Sequence, residues 1–201
     1  MTFRIEVFKG KKTTPYVQTL AELRLEAFCE YPYLYVGTLE NELQYTQQFS
    51  LNPEGMIIVA FEGDEIAGLY SGLPLKNAVS FLADWHATLK ENDIDVENCF
   101  YLGELIIKPQ YQRQGLGGQL MTQMLNEAKS LGYNKVMGVT GIREPGHPLR
   151  PLNYFDADTI WGKFGLKKND IVFTCTWPTK QPDGSVKREE NKLACWMMDL
   201  S

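Results

Sequence analysis

The stretch Leu105-Ile106-Ile107-Lys108-Pro109-Gln110-Tyr111-Gln112-Arg113-Gln114-Gly115-Leu116-Gly117-Gly118-Gln119-Leu120 passes from an apolar strand pattern through a glycine-rich turn into an amphipathic helix pattern. Glycines at 115, 117 and 118 carry no Cβ, so a phosphate can approach the main chain closely, and the positive end of the helix favours its charge. Arg113 can add a bidentate contact. The segment therefore predicts an anion-binding turn. What is missing narrows the ligand: no Lys-Ser/Thr follows the glycines, as a P-loop requires, and there is no G-x-G-x-x-G after a first strand, as a dinucleotide fold requires. Just upstream, Glu104 is the only acid in the otherwise apolar run Phe100 to Ile107, which makes it a candidate for proton transfer. The alternative for Glu104 is a carboxylate paired with a polar group of a neighbouring strand.

The elements that must position these residues read as mixed α/β. Phe3 to Phe8 alternates like a strand. Thr14-Pro15 predicts a helix start, with Thr14 as N-cap and Pro15 at the first helical position, running to about Cys29 with Val17, Leu20, Ala21, Ala27 and Phe28 on its core face. Tyr31-Pro32-Tyr33-Leu34-Tyr35 cannot continue it, because proline disfavours helical geometry in the residue before it, and forms an aromatic loop. Thr38 is placed to cap a second helix that ends near Phe49, before Asn52-Pro53-Glu54-Gly55. Met56 to Phe61 and Ile66 to Leu73 form a hairpin about Gly63-Asp64. Ala78, Phe81, Leu82, Trp85 and Leu89 predict an amphipathic helix over 77–91. Next come the strand Phe100 to Ile107, a helix with Leu116, Leu120, Met124, Leu125, Ala128 and Leu131 inward and Gly132 at its end, and the strand Val136 to Thr140. Strand, crossover helix, strand predicts a parallel pair. A helix over 156–164 precedes two strands, Asp170 to Trp177 and Lys192 to Leu200. The pattern as a whole predicts a single mixed α/β domain over 1–201.

Bulk properties bound the function. A chain of 201 residues, 44% hydrophobic, can bury one core. Lys and Arg number 20 against 25 Asp and Glu, and the net charge of -5 argues against a nucleic acid or an anionic membrane as partner. No apolar run reaches the roughly 18 residues of a membrane span, and Met1 to Phe8 alternates where a secretory signal would be apolar, so a soluble, cytoplasmic protein is expected. Cys29, Cys99, Cys175 and Cys195 are far apart with only His86 and His147 to join them, so no metal site is predicted. The final strand, with Trp196, Met197 and Met198, reads as an exposed edge on which a homodimer could pair.

Gln112-Arg113-Gln114-Gly115-Leu116-Gly117, after an apolar strand and Pro109, resembles the acetyl-CoA signature Q/R-x-x-G-x-G/A of the GNAT superfamily of N-acetyltransferases, and the order of elements is similar throughout. More narrowly, Pro32-Tyr33-Leu34-Tyr35, Phe100-Tyr101-Leu102-Gly103-Glu104 and His147-Pro148-Leu149-Arg150-Pro151 resemble a bacterial GNAT subgroup of mostly unassigned substrate, over nearly the entire chain. The resemblance implies a mostly antiparallel central sheet with helices on both faces, acetyl-CoA as co-substrate, and transfer of acetyl to a primary amine of a small molecule or peptide. It implies that the backbone of Leu105, Ile106 and Ile107 pairs with the pantetheine arm, in a gap where that strand splays from Val136 to Thr140. Gln112, Arg113, Gln114, Gly115, Leu116, Gly117 and Gly118 would then hold the diphosphate. It further implies a backbone N–H near Ile106 as oxyanion donor.

Transfer to an amine needs a group to take its proton. Glu104 is the first candidate, and Tyr101 the second, since several members carry the base three or four residues earlier on the same strand. Regular alternation puts these two on opposite faces, so only one would face the acetyl group unless a bulge intervenes. One departure stands out: Trp161-Gly162-Lys163-Phe164-Gly165-Leu166 occupies the place of a Tyr-x-x-x-Gly-Phe whose tyrosine protonates the departing thiolate in many relatives. Either Tyr154 substitutes or the thiolate, of thiol pKa near 8.5, leaves unaided. The same departure leaves open a non-catalytic acyl-CoA-binding module. The acceptor pocket is expected from Tyr31, Tyr33 and Tyr35, from Asp84, Trp85 and His86 on the inserted helix, and from the final hairpin, where aromatics could embrace a cation or an apolar group.

Overall fold

A computed structural model describes residues 2–78, 85–154 and 156–200. Its strands are Arg4–Lys9 (β1), Met56–Glu62 (β2), Glu65–Pro74 (β3), Cys99–Ile107 (β4), Lys135–Ile142 (β5), Lys167–Lys180 (β6) and Val186–Asp199 (β7). Its helices are Thr14–Phe28 (α1), Leu39–Leu51 (α2), Leu75–Ala78 (α3), His86–Glu91 (α4), Leu116–Ser130 (α5) and Ala157–Lys163 (α6). The strands form one sheet in the order β1-β2-β3-β4-β5-β7-β6, antiparallel except for the pair β4 and β5.

The period-2 geometry of a strand sends alternate side chains of β2 to two cores, Met56, Ile58 and Ala60 to one and Ile57, Val59 and Phe61 to the other. Such a strand reads as a continuous apolar run because both faces are covered. α5 lies on the first face through Leu116, Leu120, Met121, Met124 and Ala128. α1 and α2 lie on the second through Leu20, Leu23 and Phe49, and each such side chain contributes about 1.5–3 kcal/mol by leaving water. The sheet is therefore a partition, with the phosphate-turn helix on one side and the α1–α2 pair on the other.

Local signals fix most boundaries. Thr38 Oγ1 accepts from the Asn41 N–H at 3.3 Å and caps α2, and Gly63 (φ 58°) and Gly132 (φ 91°) take the left-handed turns at the β2–β3 hairpin and after α5. Thr14 is not the cap of α1. A 3-10 turn over Gly10–Thr13 leads straight into the helix, so Thr14 is its first residue and its hydroxyl donates back to the Lys11 carbonyl at 2.7 Å. Of the helix expected over 77–91, α3 begins two residues earlier, at Leu75, and α4 holds the far end. Phe81, Leu82 and Asp84 lie outside the described residues, while Ala78, Trp85 and Leu89 reach the core beneath α1 and α2.

The final hairpin overturns one expectation. β7 pairs with β5 from Lys135↔Asp199 to Ile142↔Lys192 and with β6 on its other side, so both rows of its backbone groups are taken and it is no edge on which a second copy could pair. The edges of the sheet are β1 and β6. Hydrophobic pattern gives a strand's faces but not its neighbours, and the hairpin has turned its second strand inward. Among the described residues no helix is long and apolar enough to cross a membrane.

Candidate active site

β4 and β5 pair only from Cys99↔Lys135 to Leu102↔Gly138. Beyond that point β4 continues along β3 and β5 continues along β7, so the sheet forks at its one parallel seam and leaves the backbone of Gly103 to Ile107 without a strand on the β5 side. The gap expected beside Leu105, Ile106 and Ile107 is present.

At the mouth of the fork β4 carries a bulge. Tyr70 pairs with Leu105 and Gly72 with Leu102, so Ser71 alone stands opposite Gly103 and Glu104. The extra residue shifts the alternation: Phe100, Leu102, Leu105 and Ile107 face the α5 side, whereas Tyr101 and Ile106 face α1 and α2. Glu104 joins Tyr101 on that second side, and both line one cavity. The expectation that only one of the two would face it is thereby corrected. Gly103 makes the bulge possible, because a Cβ there would lie 2.5 Å from Ser71 Oγ. That hydroxyl accepts from the Glu104 N–H at 2.9 Å and donates to Glu104 Oε2 at 2.6 Å, which aims the carboxylate.

Glu104 is one end of a buried ionic chain. Its Oε1 accepts from Tyr45 Oη at 2.7 Å and from Arg24 Nη1. Arg24 Nε donates in turn to Glu42 Oε2, and Tyr35 Oη donates to Glu42 Oε1 at 2.7 Å. The side chains of Arg24, Glu42 and Glu104 are 12%, 4% and 6% exposed, so water screens the chain little. Burial works against the Arg24 charge, but Glu104, Tyr45 and Glu42 outweigh it and hold the guanidinium above its ordinary value. Burial, and next to it the Glu104 charge, pushes the Tyr45 and Tyr101 phenols well above 10.

These groups line a cavity of about 310 Å³. Gly103, Glu104 and Val139, the residues next past the last β4–β5 pair, are part of its lining, so the cavity opens on the fork itself. Tyr33, Tyr35 and Trp85 also line it; the Tyr33 carbonyl accepts from Arg143 and Trp177 Nε1, and its phenol is pushed up to about 12 chiefly by burial. Cys175, Trp177 and Leu193 come from the final hairpin. Tyr31 does not take part. It packs edge-on against Tyr154 at 4.7 Å, with Arg150 over its ring, outside the cavity. His86 is likewise not in the lining.

On the opposite face of the sheet the glycine turn leads into α5. Gly115 (φ 80°) caps the helix, and a Cβ on it would meet nothing within 4 Å, so the turn faces open space. The side chains of Gln112 and Gln114 donate to the carbonyls of Ile107 and Gln110, both at 3.0 Å, and brace the turn from within. Arg113, at φ 59°, is exposed. Gly117 lies over Ile107 and Leu105, and Gly118 faces the Phe164 ring. Of the first N–H groups of α5, that of Gly118 goes to the Gly115 carbonyl at 3.1 Å, while those of Leu116 and Gly117 have no backbone acceptor among the described residues and are left for an anion at this turn.

A model of the acetyltransferase (GNAT) family matches residues 19–152. The chain belongs to the GNAT family. Solved structures share the fold. An N-acetyltransferase from Staphylococcus aureus Mu50 superposes with a TM-score of 0.61 at 15% identity over all of both chains. The ribosomal-protein-S18-alanine N-acetyltransferase of Escherichia coli gives 0.58 at 12% over all of this chain and 95% of that one. A GNAT family acetyltransferase from Elizabethkingia anophelis with acetyl-CoA bound gives 0.56 at 18% over 98% of each chain. No curated protein matches the sequence.

In this GNAT chain Trp161 is a core residue on the α5 side. Its indole covers Gly138, where a Cβ would lie 2.2 Å from Cη2, and its ring centroid is 6.1 Å from that of Trp196, whose Nε1 donates to Thr140 Oγ1. Tyr154 belongs to the Tyr31 and Arg150 cluster and does not line the cavity. Sequence reasoning missed Arg24, Glu42 and Tyr45. Their only signal was faint: Arg24 follows the core residue Leu23 in α1, and Glu42 and Tyr45 are three apart in α2, which places them on one helix face. Among the described residues no cluster of His, Cys, Asp and Glu could hold a metal ion.

Proposed function

We propose that the protein transfers an acetyl group from acetyl-CoA to a primary amine, with Glu104 taking the proton from the amine. The observation that carries this reading is the fork between β4 and β5 opening onto the cavity in which Glu104 is held. The residues present suit the co-substrate: the open turn with Gly115 and Gly117 and the α5 N-terminus would take its diphosphate, with Arg113 free to reach it, and the unpaired β4 backbone beside Leu105 to Ile107 would take its arm. Gln112 and Gln114 act here by bracing the loop, while main-chain N–H groups of 113–117 meet the phosphates. Acetyl-CoA supplies the activated thioester carbonyl.

The protein supplies the rest. Glu104 Oε2 accepts one hydrogen bond within the chain, from Ser71, and so keeps capacity for an amine N–H. The amine nitrogen bonds to the acetyl carbon, the C–S bond breaks, and the amine proton passes to Glu104. Tyr101, with its pKa raised by burial and by Glu104, stays a phenol at neutral pH and is suited to donate a proton rather than to take one, so Glu104 is the stronger candidate for base. Trp161 carries only a weakly acidic indole N–H and cannot readily protonate a thiolate, and a thiol of ordinary pKa near 8.5 allows the sulfur to leave as thiolate.

The test is incubation of purified protein with acetyl-CoA and a set of primary amines while free thiol is followed. Amine-dependent thiol release supports the reading. A module that binds acetyl-CoA yet releases no thiol with any amine would replace it.

A further inference from the structure

Resting on that transferase reading, we infer that the acceptor is a compact primary amine with an apolar or aromatic body and no carboxylate, and that Glu42 is a second carboxylate that recognises its ammonium.

Charge is the first reason. Arg24, Glu42 and Glu104 are the charged side chains among the described residues lining the cavity, and two carboxylates against one guanidinium leave a formal charge of -1. Arg188 acts on Tyr35 from β7 but does not line the cavity. An excess charge in so buried a place is costly until a cation enters, and the ammonium of an amine is that cation.

The second reason is that Arg24 is already committed. Its Nε goes to Glu42 and its Nη1 to Glu104, and its guanidinium lies 4.1 Å from the Tyr45 ring centroid and 4.8 Å from that of Phe28. A carboxylate on the acceptor would find no other cation among the described residues of the lining and would stand beside two like charges, a juxtaposition that costs several kcal/mol in general. The free amino acid form of any acceptor is therefore disfavoured.

The walls complete the case. Phe28, Tyr33, Tyr35, Trp85 and Trp177 make the lining largely aromatic, and burial, the leading cause at each, keeps the Tyr33, Tyr35, Tyr45 and Tyr101 phenols neutral. Such a cage favours a cation next to an apolar body. At about 310 Å³ the cavity sits at the small end of ligand pockets, which span roughly 300–1,000 Å³, so the body is compact.

The experiment uses a matched pair, 2-phenylethylamine and phenylalanine, which share the ring and amine and differ in the carboxylate. With the full chain and acetyl-CoA, kcat/KM for 2-phenylethylamine should exceed that for phenylalanine by at least about a hundredfold. Glu42→Gln should raise KM for 2-phenylethylamine about tenfold or more with a smaller change in kcat, and should shrink the ratio. Tyr35→Phe, which removes the hydrogen bond to Glu42 and keeps its charge, should preserve the ratio. Equal use of the two compounds, preference for phenylalanine, or an unchanged ratio in Glu42→Gln overturns the inference. Should Glu42→Gln fail to fold, the wild-type ratio decides alone. If neither compound is bound or acetylated the inference falls, and thiol release with the wider set of primary amines shows separately whether the transferase reading falls with it.

Discussion

Replacing Arg24 with methionine would take the guanidinium from two carboxylates that are 4% and 6% exposed and leave both without their cation. Methionine keeps much of the length of the arginine, and its thioether packs well on the rings of Tyr45 and Phe28, so the loss is chiefly electrostatic. Removing one partner of a buried ion pair costs about 3–5 kcal/mol. In a chain of this size each kcal/mol moves the thermal midpoint by about 2–4 °C, so a fall of about 6–20 °C is expected. Urea unfolding of both proteins, followed by tryptophan fluorescence, gives the comparison. A deficit below about 1 kcal/mol would refute the reasoning, since it would mean that Glu42 and Glu104 do not depend on Arg24.

Acetyl-CoA should raise the thermal midpoint, by mass action worth about 2.7 kcal/mol at a hundred times its Kd, and Gly117→Glu should abolish the shift without unfolding the protein, since the new Cβ meets only Ile107 Cδ1, at 3.2 Å, and Leu105 Cδ2; no shift for the wild type at millimolar ligand removes the co-substrate from the proposal. Glu104→Gln should keep acetyl-CoA affinity and lose about a hundredfold or more in turnover, with the deficit shrinking as pH rises and more of the amine is already deprotonated. Unchanged turnover would turn attention to Tyr101. Gly138→Ala should cost about 1–3 kcal/mol in urea unfolding, because its Cβ would lie 2.2 Å from Trp161 Cη2, and Trp161→Phe in the same chain should return part of that loss.

Much of the scaffold was legible because its signals are local. Gly63-Asp64, Gly132 and the cap at Thr38 act on their own few residues, and the alternating or helical spacing of apolar side chains needs only the element itself. The start of α1 was misplaced at Thr14 because a 3-10 turn ahead of a helix leaves no distinct residue signature. The fork could be expected only through family resemblance, since where two strands part company is a matter of which neighbours each prefers farther on.

By itself the sequence determined a mixed α/β chain, a glycine-rich turn that leads into a helix and offers its N–H groups, and Glu104 as an acid in an apolar strand. The tertiary structure decided what that acid meets. Arg24 lies 80 residues from Glu104 and 18 from Glu42, and no periodicity links three helix and strand positions that touch only after α1 and α2 dock on the sheet. The bulge that turns Glu104 to the side of Tyr101 depends on Ser71 in the adjacent strand, and the inward place of β7 depends on which backbone edge was open to it. Patterns along a chain record each residue's preference for a local conformation and for burial; pairing between charges and between strand edges is a property of two distant segments at once, and only packing brings them together.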